Sequence, residues 1–90
     1  NMQVKAFVSG TLESGDVIIT LKTSDHVSVT IQSAVQSLYG DLIRKTVDDT
    51  LAENKVRNVE VFVNDNGARD FVIRARLLAA LEKKRRGDSE

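Results

Sequence analysis

One serine in a glycine-flanked segment is the residue of this 90-residue chain whose type and setting could support chemistry. Ser14 follows Glu13 and precedes Gly15 and Asp16. A serine nucleophile needs a nearby base, and the single histidine lies in another polar segment. From the pattern alone, Ser14 is an ordinary turn hydroxyl. We also expect a mobile loop backbone here, which would let a modifying enzyme reach the hydroxyl.

Other groups that could do chemistry are better explained as solvated surface. Asp25 and His26 are adjacent in a polar stretch, and we expect their side chains to point apart, which leaves a solvated turn histidine. Asp48 and Asp49 are neighbours on a predicted helix and do not face one another, so they form no metal clamp. The absence of cysteine excludes a disulfide framework and a thiol nucleophile belonging to the protein.

The charge pattern contains one cationic cluster on a neutral chain. Thirteen basic and thirteen acidic residues give a formal net charge of zero, which argues against a dedicated nucleic-acid binder. Lys83, Lys84, Arg85 and Arg86 fall in the last turn of a predicted helix, where cations stabilise the helix dipole. No apolar run reaches the roughly 20 residues of a membrane span, and nothing resembles a secretion signal, so we expect a cytoplasmic protein.

Four strands and two helices must position these groups. Period-two alternation of apolar residues predicts strands over residues 3–8, 17–22, 27–32 and 58–64. Apolar spacings typical of amphipathic helices predict helices over residues 33–54 and 70–86. The order β-β-β-α-β-α predicts an α+β two-layer sandwich, with a four-stranded sheet and two helices. We expect one domain over residues 3–86 and a fraying tail over residues 87–90.

The connections between these elements suggest a topology. The short polar link Thr23-Ser24-Asp25 predicts that the second and third strands form a hairpin. If the third and fourth strands run parallel, the helix between them forms a right-handed crossover. The segment over residues 71–76 could extend as a strand after the turn at residues 64–67, but its single apolar side favours a helix.

Three separated segments are similar to those of one known family. They read Gly-Thr-Leu-Glu-Ser-Gly-Asp-Val at 10–17, Tyr-Gly-Asp-Leu-Ile-Arg at 39–44, and Asp-Asn-Gly-Ala-Arg-Asp-Phe-Val-Ile-Arg-Ala-Arg-Leu at 65–77. Over essentially its whole length, the chain resembles the citrate lyase acyl carrier protein, the γ subunit of that complex. Tyr39 and Arg69 depart from the family's usual residues. The acyl carrier of malonate decarboxylase is the nearest alternative, although its serine loop is less similar.

The resemblance implies a carrier role for Ser14. This serine would hold 2′-(5″-phosphoribosyl)-3′-dephospho-CoA through a phosphodiester, with Glu13, Gly15 and Asp16 forming the attachment loop. The thiol of that group would carry acetyl and citryl thioesters while citrate is cleaved to acetate and oxaloacetate. The chain would be a non-catalytic phosphoprotein subunit of citrate fermentation. Glu13 and Asp16 would either repel the anionic arm or shape the turn.

The resemblance also implies partners and a scaffold. The partners would be the citrate lyase α (transferase) and β (lyase) subunits, the prosthetic-group transferase and the acetate ligase, with no nucleic acid and no membrane. The familiar acyl carriers are helical bundles with an Asp-Ser-Leu motif at a helix start. This chain lacks that motif and is rich in strands, so we expect the same task on a different fold.

Two other functions stay open from the residues alone. The basic C-terminal helix could serve a small nucleic-acid-binding or protein-binding module. Ser14 could be the nucleophile of a minor enzyme, but the sequence supplies no base for it.

Overall fold

The computed structural model describes residues 5–90, apart from the side chains of residues 36 and 37. The first predicted residues of the domain and of its first strand therefore lie outside the described part. The predicted α+β class and element order are confirmed. The elements are β1 (Ala6–Gly10), β2 (Asp16–Thr23), β3 (Ser28–Ser33), α1 (Gln36–Glu53), β4 (Val59–Asn66) and α2 (Asp70–Arg86).

The four strands form one mixed sheet in the order β1-β2-β4-β3. The chain reverses direction between β1 and β2, and β4 runs antiparallel to β2 and parallel to β3. The predicted hairpin of β2 and β3 is therefore wrong, because β4 lies between them. Val59, Val61 and Val63 of β4 are all almost completely buried. A strand with an almost completely buried face is best covered in the middle of the sheet. β3 lies at the edge and is only half-buried.

Both helices cover the same face of the sheet. α2 lies over β1 and β2, and α1 packs against α2 and β3. Phe7 is the buried apolar residue of β1, whereas Ala6 and Val8 lie on the partly exposed face. The core joins residues of three strands and both helices: Phe7, Val17, Ile19, Leu21, Ile43, Val47, Leu51, Val59, Val61, Val63, Ile73, Leu77 and Ala80. Neither helix of the described chain combines the length and the hydropathy that crossing a bilayer requires.

The bounds of the two helices match the sequence to different degrees. α2 spans the predicted residues 70–86 and is capped by Gly87, whose φ of 77° suits glycine. The N–H groups of Gly87 and Asp88 donate to the carbonyls of Lys84 and Lys83, which is a Schellman motif. α1 begins later than predicted, because Ser33 is still the last residue of β3.

Side chains and the chain end cover carbonyls of both edge strands. On β1, Lys83 Nζ donates to the Val8 carbonyl (2.6 Å), and the Glu90 N–H donates to the Ala6 carbonyl (2.8 Å). On β3, Arg44 Nη2 donates to the Val29 carbonyl (3.1 Å). The fraying of residues 87–90 stays a prediction.

Candidate functional site

Ser14 lies at the corner of a tight turn that closes the loop between β1 and β2. The Asp16 N–H donates to the Glu13 carbonyl at 3.0 Å, which makes residues 13–16 a β-turn. Gly15 has a φ of 82°, whereas Lys55 is the one non-glycine residue with a positive φ in the described chain. A positive φ at the third turn residue only is the mark of a type II turn. Ser14 therefore occupies the second position, and it is exposed.

The carboxylate of Asp16 holds this loop together. Its Oδ2 accepts hydrogen bonds from the N–H of Thr11 (3.1 Å) and from Thr11 Oγ1 (2.6 Å). Its Oδ1 accepts from the N–H of Val17 at 2.8 Å. Asp16 therefore ties the first residue of the loop to the first residues of β2, and the loop has its shape before any partner arrives.

Arg76 of α2 binds the same carboxylate from the other side. Its Nε and Nη2 donate to Oδ1 and Oδ2 of Asp16, each at 3.0 Å, in a bidentate ion pair. The side chain of Asp16 is 12% exposed and that of Arg76 is 42% exposed. The serine loop is thereby fastened to a helix that packs on the core.

The ion pair sets the charge state of Asp16. The Arg76 guanidinium, helped by the donors of Thr11 and Val17, holds the pKa of the Asp16 carboxyl well below its usual range. The same contact raises the pKa of Arg76. The negative charge of Asp16 is matched by Arg76, so the structure favours the alternative in which Asp16 shapes the turn over the one in which it repels an arm.

The end of β4 supports the loop as well. The Gly15 N–H donates to the Asn66 carbonyl at 2.8 Å, and Asn66 Nδ2 donates to the Leu12 carbonyl at 2.9 Å. The sequence predicts a mobile backbone here, but these contacts and those of Asp16 hold the loop on both sides. The whole segment from Thr11 to Gly15 is exposed, and Glu13 and Ser14 lie at its tip.

Sequence reasoning missed the supporting residues, although one signal for them exists. Arg76 is an arginine among the buried residues Ile73, Leu77 and Ala80 of α2, at helical spacing from them. A charge on the core side of a helix calls for a partner. Thr11 and Asn66 carry no comparable signal, since polar residues are ordinary in turns.

Gly10 determines where the loop begins. Its φ is 98°, and a Cβ at this position would lie 1.7 Å from the Val17 carbonyl oxygen. Any side chain here would collide with the backbone of the neighbouring strand. Gly10 is therefore required by the close approach of β1 and β2 at the base of the loop.

The remaining candidate groups form no second site. His26 Nδ1 lies 2.7 Å from Asp25 Oδ1, so the expectation that the two side chains point apart is wrong, although both are mainly exposed. This pair sits beyond the far end of the eight-residue β2, roughly 25 Å from the loop, and supplies no base for Ser14. Within the described residues, no group of three or more acidic or histidine side chains could hold a metal ion.

The basic end of α2 is largely engaged with the chain itself. Lys83 contacts the Val8 carbonyl and the Glu90 carboxylate, while Arg85 pairs with Glu82. Arg86 also pairs with an acidic residue, at 3.2 Å from Asp88 Oδ2. This pattern fits a helix end that stabilises its own chain better than a surface for nucleic acid.

Two comparisons with known proteins give the family and the fold of the chain. The family model of acyl carrier proteins described as malonate decarboxylase delta subunit (MdcD) matches residues 4–84. A chain of a malonate decarboxylase hetero-tetramer from Pseudomonas, solved in complex with malonate, is similar in structure with a TM-score of 0.77. The match covers 88% of this chain and 82% of that chain at 20% sequence identity, a level that shows the shared fold.

These findings correct one prediction. The citrate lyase α and β subunits were expected as partners, and this is wrong, because the family model that matches the chain is that of the malonate decarboxylase delta subunit. The physical reason lies in where the similar segments fall. Residues 10–17 form the loop, and residues 65–77 include Asn66 and Arg76, which support it. Such segments report the shape and the support of this loop and not which enzyme complex the chain serves.

Proposed function

Because the chain belongs to the malonate decarboxylase delta subunit family of acyl carrier proteins, we propose that it is the acyl carrier subunit of a malonate decarboxylase. Members of this family are carrier components of an enzyme complex and not catalysts themselves. The malonate decarboxylase carrier bears a phosphopantetheine-like prosthetic group. The proposal assigns the attachment of such a group to Ser14.

The observation that supports attachment at Ser14 is its exposure on a turn whose backbone is fixed by contacts with neighbouring residues. A modifying enzyme must bring its own active site to the hydroxyl, and Ser14 is at the solvent-facing corner. The turn is ordered by Asp16, Arg76 and Asn66, so little conformational freedom is lost when an enzyme binds it. Gly15 provides the positive φ of the turn, and Glu13 stands exposed beside Ser14 for recognition.

The residues present suit a phosphodiester-linked group. The chain has no cysteine, so a thiol that carries acyl groups has to come from the prosthetic group. The group we propose is phosphoribosyl-dephospho-CoA on Ser14 Oγ. When attached, it supplies the thiol on a long arm. The protein keeps that arm at an effective concentration of roughly millimolar near the enzyme subunits.

Intact mass tests the attachment. The chain is co-expressed with the prosthetic-group transferase of a malonate decarboxylase and the enzymes that make its coenzyme precursor. We expect a mass increase of one prosthetic group, and Ser14→Ala should abolish it. Ser89→Ala, which removes an exposed serine outside the loop, should be modified like the parent chain. Full modification of Ser14→Ala would overturn the assignment.

Reconstitution tests the identity of the complex. The loaded carrier is added to malonate decarboxylase that has been purified without its own carrier, and malonate consumption is measured. We expect activity to depend on the loaded carrier and to be absent with Ser14→Ala. No malonate consumption by a fully loaded carrier would overturn the proposal.

A further inference from the structure

A groove opens between the first halves of α1 and α2. Its volume is about 590 Å³, within the range typical of small-molecule sites. Val35, Tyr39 and Leu42 line it from the side of α1, and Ala68 and Arg69 line it from the segment before α2. Tyr39 and Leu42 are 50% and 52% exposed, so the groove presents apolar surface to solvent.

The groove and the serine loop lie at the same end of the molecule. β1 ends and β2 begins at the loop, and the pairing of the strands brings the ends of β3 and β4 to that same end of the sheet. Both helices start there, directly after β3 and β4. An arm attached to Ser14 therefore starts next to the groove.

One short backbone segment joins the loop to the floor of the groove. Asn66 bonds to the loop, and the next residues, Gly67 and Ala68, line the groove. The carboxylate of Asp65, which is 3% exposed, accepts hydrogen bonds from the N–H groups of Gly67 (3.1 Å) and Ala68 (2.9 Å) and from Ser33 Oγ (2.7 Å). The floor is therefore formed before any ligand enters.

The lining suits an arm with an anionic root and a weakly polar stem. Tyr39 and Leu42 offer apolar contact and one hydroxyl, while the exposed Arg69 offers a cation. The neighbouring carboxylate of Asp70 accepts a hydrogen bond from the N–H of Phe71 at the start of α2, at 2.7 Å. The carboxylates of Asp65 and Asp70 in the lining accept bonds from backbone N–H groups, and Arg69 is the cation of the lining that can pair with a phosphodiester.

We propose that this groove is the docking site of the prosthetic arm carried by the same chain, which shelters the thiol or its acyl group from water between encounters with the enzyme subunits. The inference rests on the proposed attachment at Ser14. The arm exchanges between a docked and a free state, and partner subunits draw on the free state.

The first test compares reaction rates of the thiol. The loaded carrier is treated with iodoacetamide at fixed pH, and alkylation is followed by intact mass. We expect the parent chain to react at least about threefold more slowly than free coenzyme A, because only the undocked arm reacts. Leu42→Gln should bring the rate close to that of the free thiol. Leu38→Gln, a change at an exposed leucine of the same helix outside the groove, should leave the rate unchanged.

The second test uses amide NMR of the parent chain with and without the arm. We expect shifts at Val35, Ala68 and Ile73 that exceed those at Phe62, on the opposite face of the sheet. Mass first establishes that the arm is present, so a missing arm counts against the proposed function alone. A loaded carrier with the reactivity of free coenzyme A and no shifts in the groove overturns the docking site. Groove shifts that appear only with partner subunits overturn it too and assign the groove to a partner.

Discussion

Asp16 and Arg76 illustrate how a single contact can fasten an exposed loop to the rest of the fold. An exposed ion pair usually contributes little, because water and salt screen it. Here the carboxylate is mostly shielded, is bonded in a bidentate manner and is further bonded by Thr11 and Val17. The pair therefore acts less as a surface charge than as the fastening between the serine loop and α2.

The ion pair should make stability depend on acid pH. The folded pKa of Asp16 lies below its ordinary value of 3.8, so the stabilisation is complete above that value and is lost as the pH falls toward the folded pKa. We expect Asp16→Asn to lower the free energy of unfolding at pH 7, with a difference from the parent chain that narrows between pH 5 and about pH 2.5.

Urea unfolding of both proteins across this pH range measures the effect. Arg76→Gln removes the largest cause of the lowered pKa of Asp16 but leaves the donors of Thr11 and Val17. The difference in stability from the parent chain should therefore narrow over the same pH range by a smaller amount. A difference that stays constant down to the lowest pH would contradict the assigned role of the pair.

Substitutions at two glycines with positive φ distinguish the cost of backbone strain from the cost of a steric collision. Gly67→Ala introduces only the left-handed strain, since nothing lies within 4 Å of its Cβ, and should cost about 1 kcal/mol. Gly10→Ala adds a collision with the Val17 carbonyl and should cost at least about 2 kcal/mol more. The two variants are compared by chemical denaturation. Equal losses would show that β1 and β2 move apart at no cost.

Among the elements, β4 is the strand whose place the sequence could not predict. Period-two alternation identifies which side of a strand is buried, but not which strands are neighbours. The polar link after Thr23 looks like a hairpin turn, yet it leads across β4 to the other side of the sheet. By contrast, α2 was predicted to its ends, because its apolar spacing and the glycine after Arg86 are local signals.

The position of α2 on the sheet gives a prediction for the core. Leu77 is fully buried between α2 and the sheet, and Leu77→Ala should lower the free energy of unfolding by about 2–5 kcal/mol. Leu38 is the matched control, since it is 79% exposed on α1 and its replacement by Ala should change stability by less than about 0.5 kcal/mol. Thermal or urea unfolding measures both. Similar losses for the two variants would contradict the packing of α2 described above.

For the whole molecule, the sequence was sufficient for the fold class and for the exposed loop, but not for what supports the loop. The contacts of Asp16 with Arg76 and of Leu12 with Asn66 join residues 60 and 54 positions apart. No local sequence pattern identifies partners that lie so far apart along the chain. They come together only when the sheet folds. The groove was missed for the same reason, since its two walls come from different helices.

The resemblance of the sequence identified the carrier more reliably than the enzyme. The segments around residues 10–17 and 65–77 form the loop and support it, so a resemblance in these segments reports the fold and the loop. The surfaces that select one enzyme complex over another are a different part of the molecule with different requirements on their residues. The family match, over residues 4–84, therefore corrected the partners while leaving the carrier role in place.

The bonded carbonyls at the two edges of the sheet have a consequence for association between copies of the protein. An unpaired edge strand can pair with a strand of another molecule, which leads to aggregation. In this protein Lys83 and the N–H of Glu90 donate hydrogen bonds to carbonyls of the edge strand β1. Arg44 donates to a carbonyl of the other edge strand, β3. These contacts should therefore hinder the pairing of strands between separate copies of the protein at either edge.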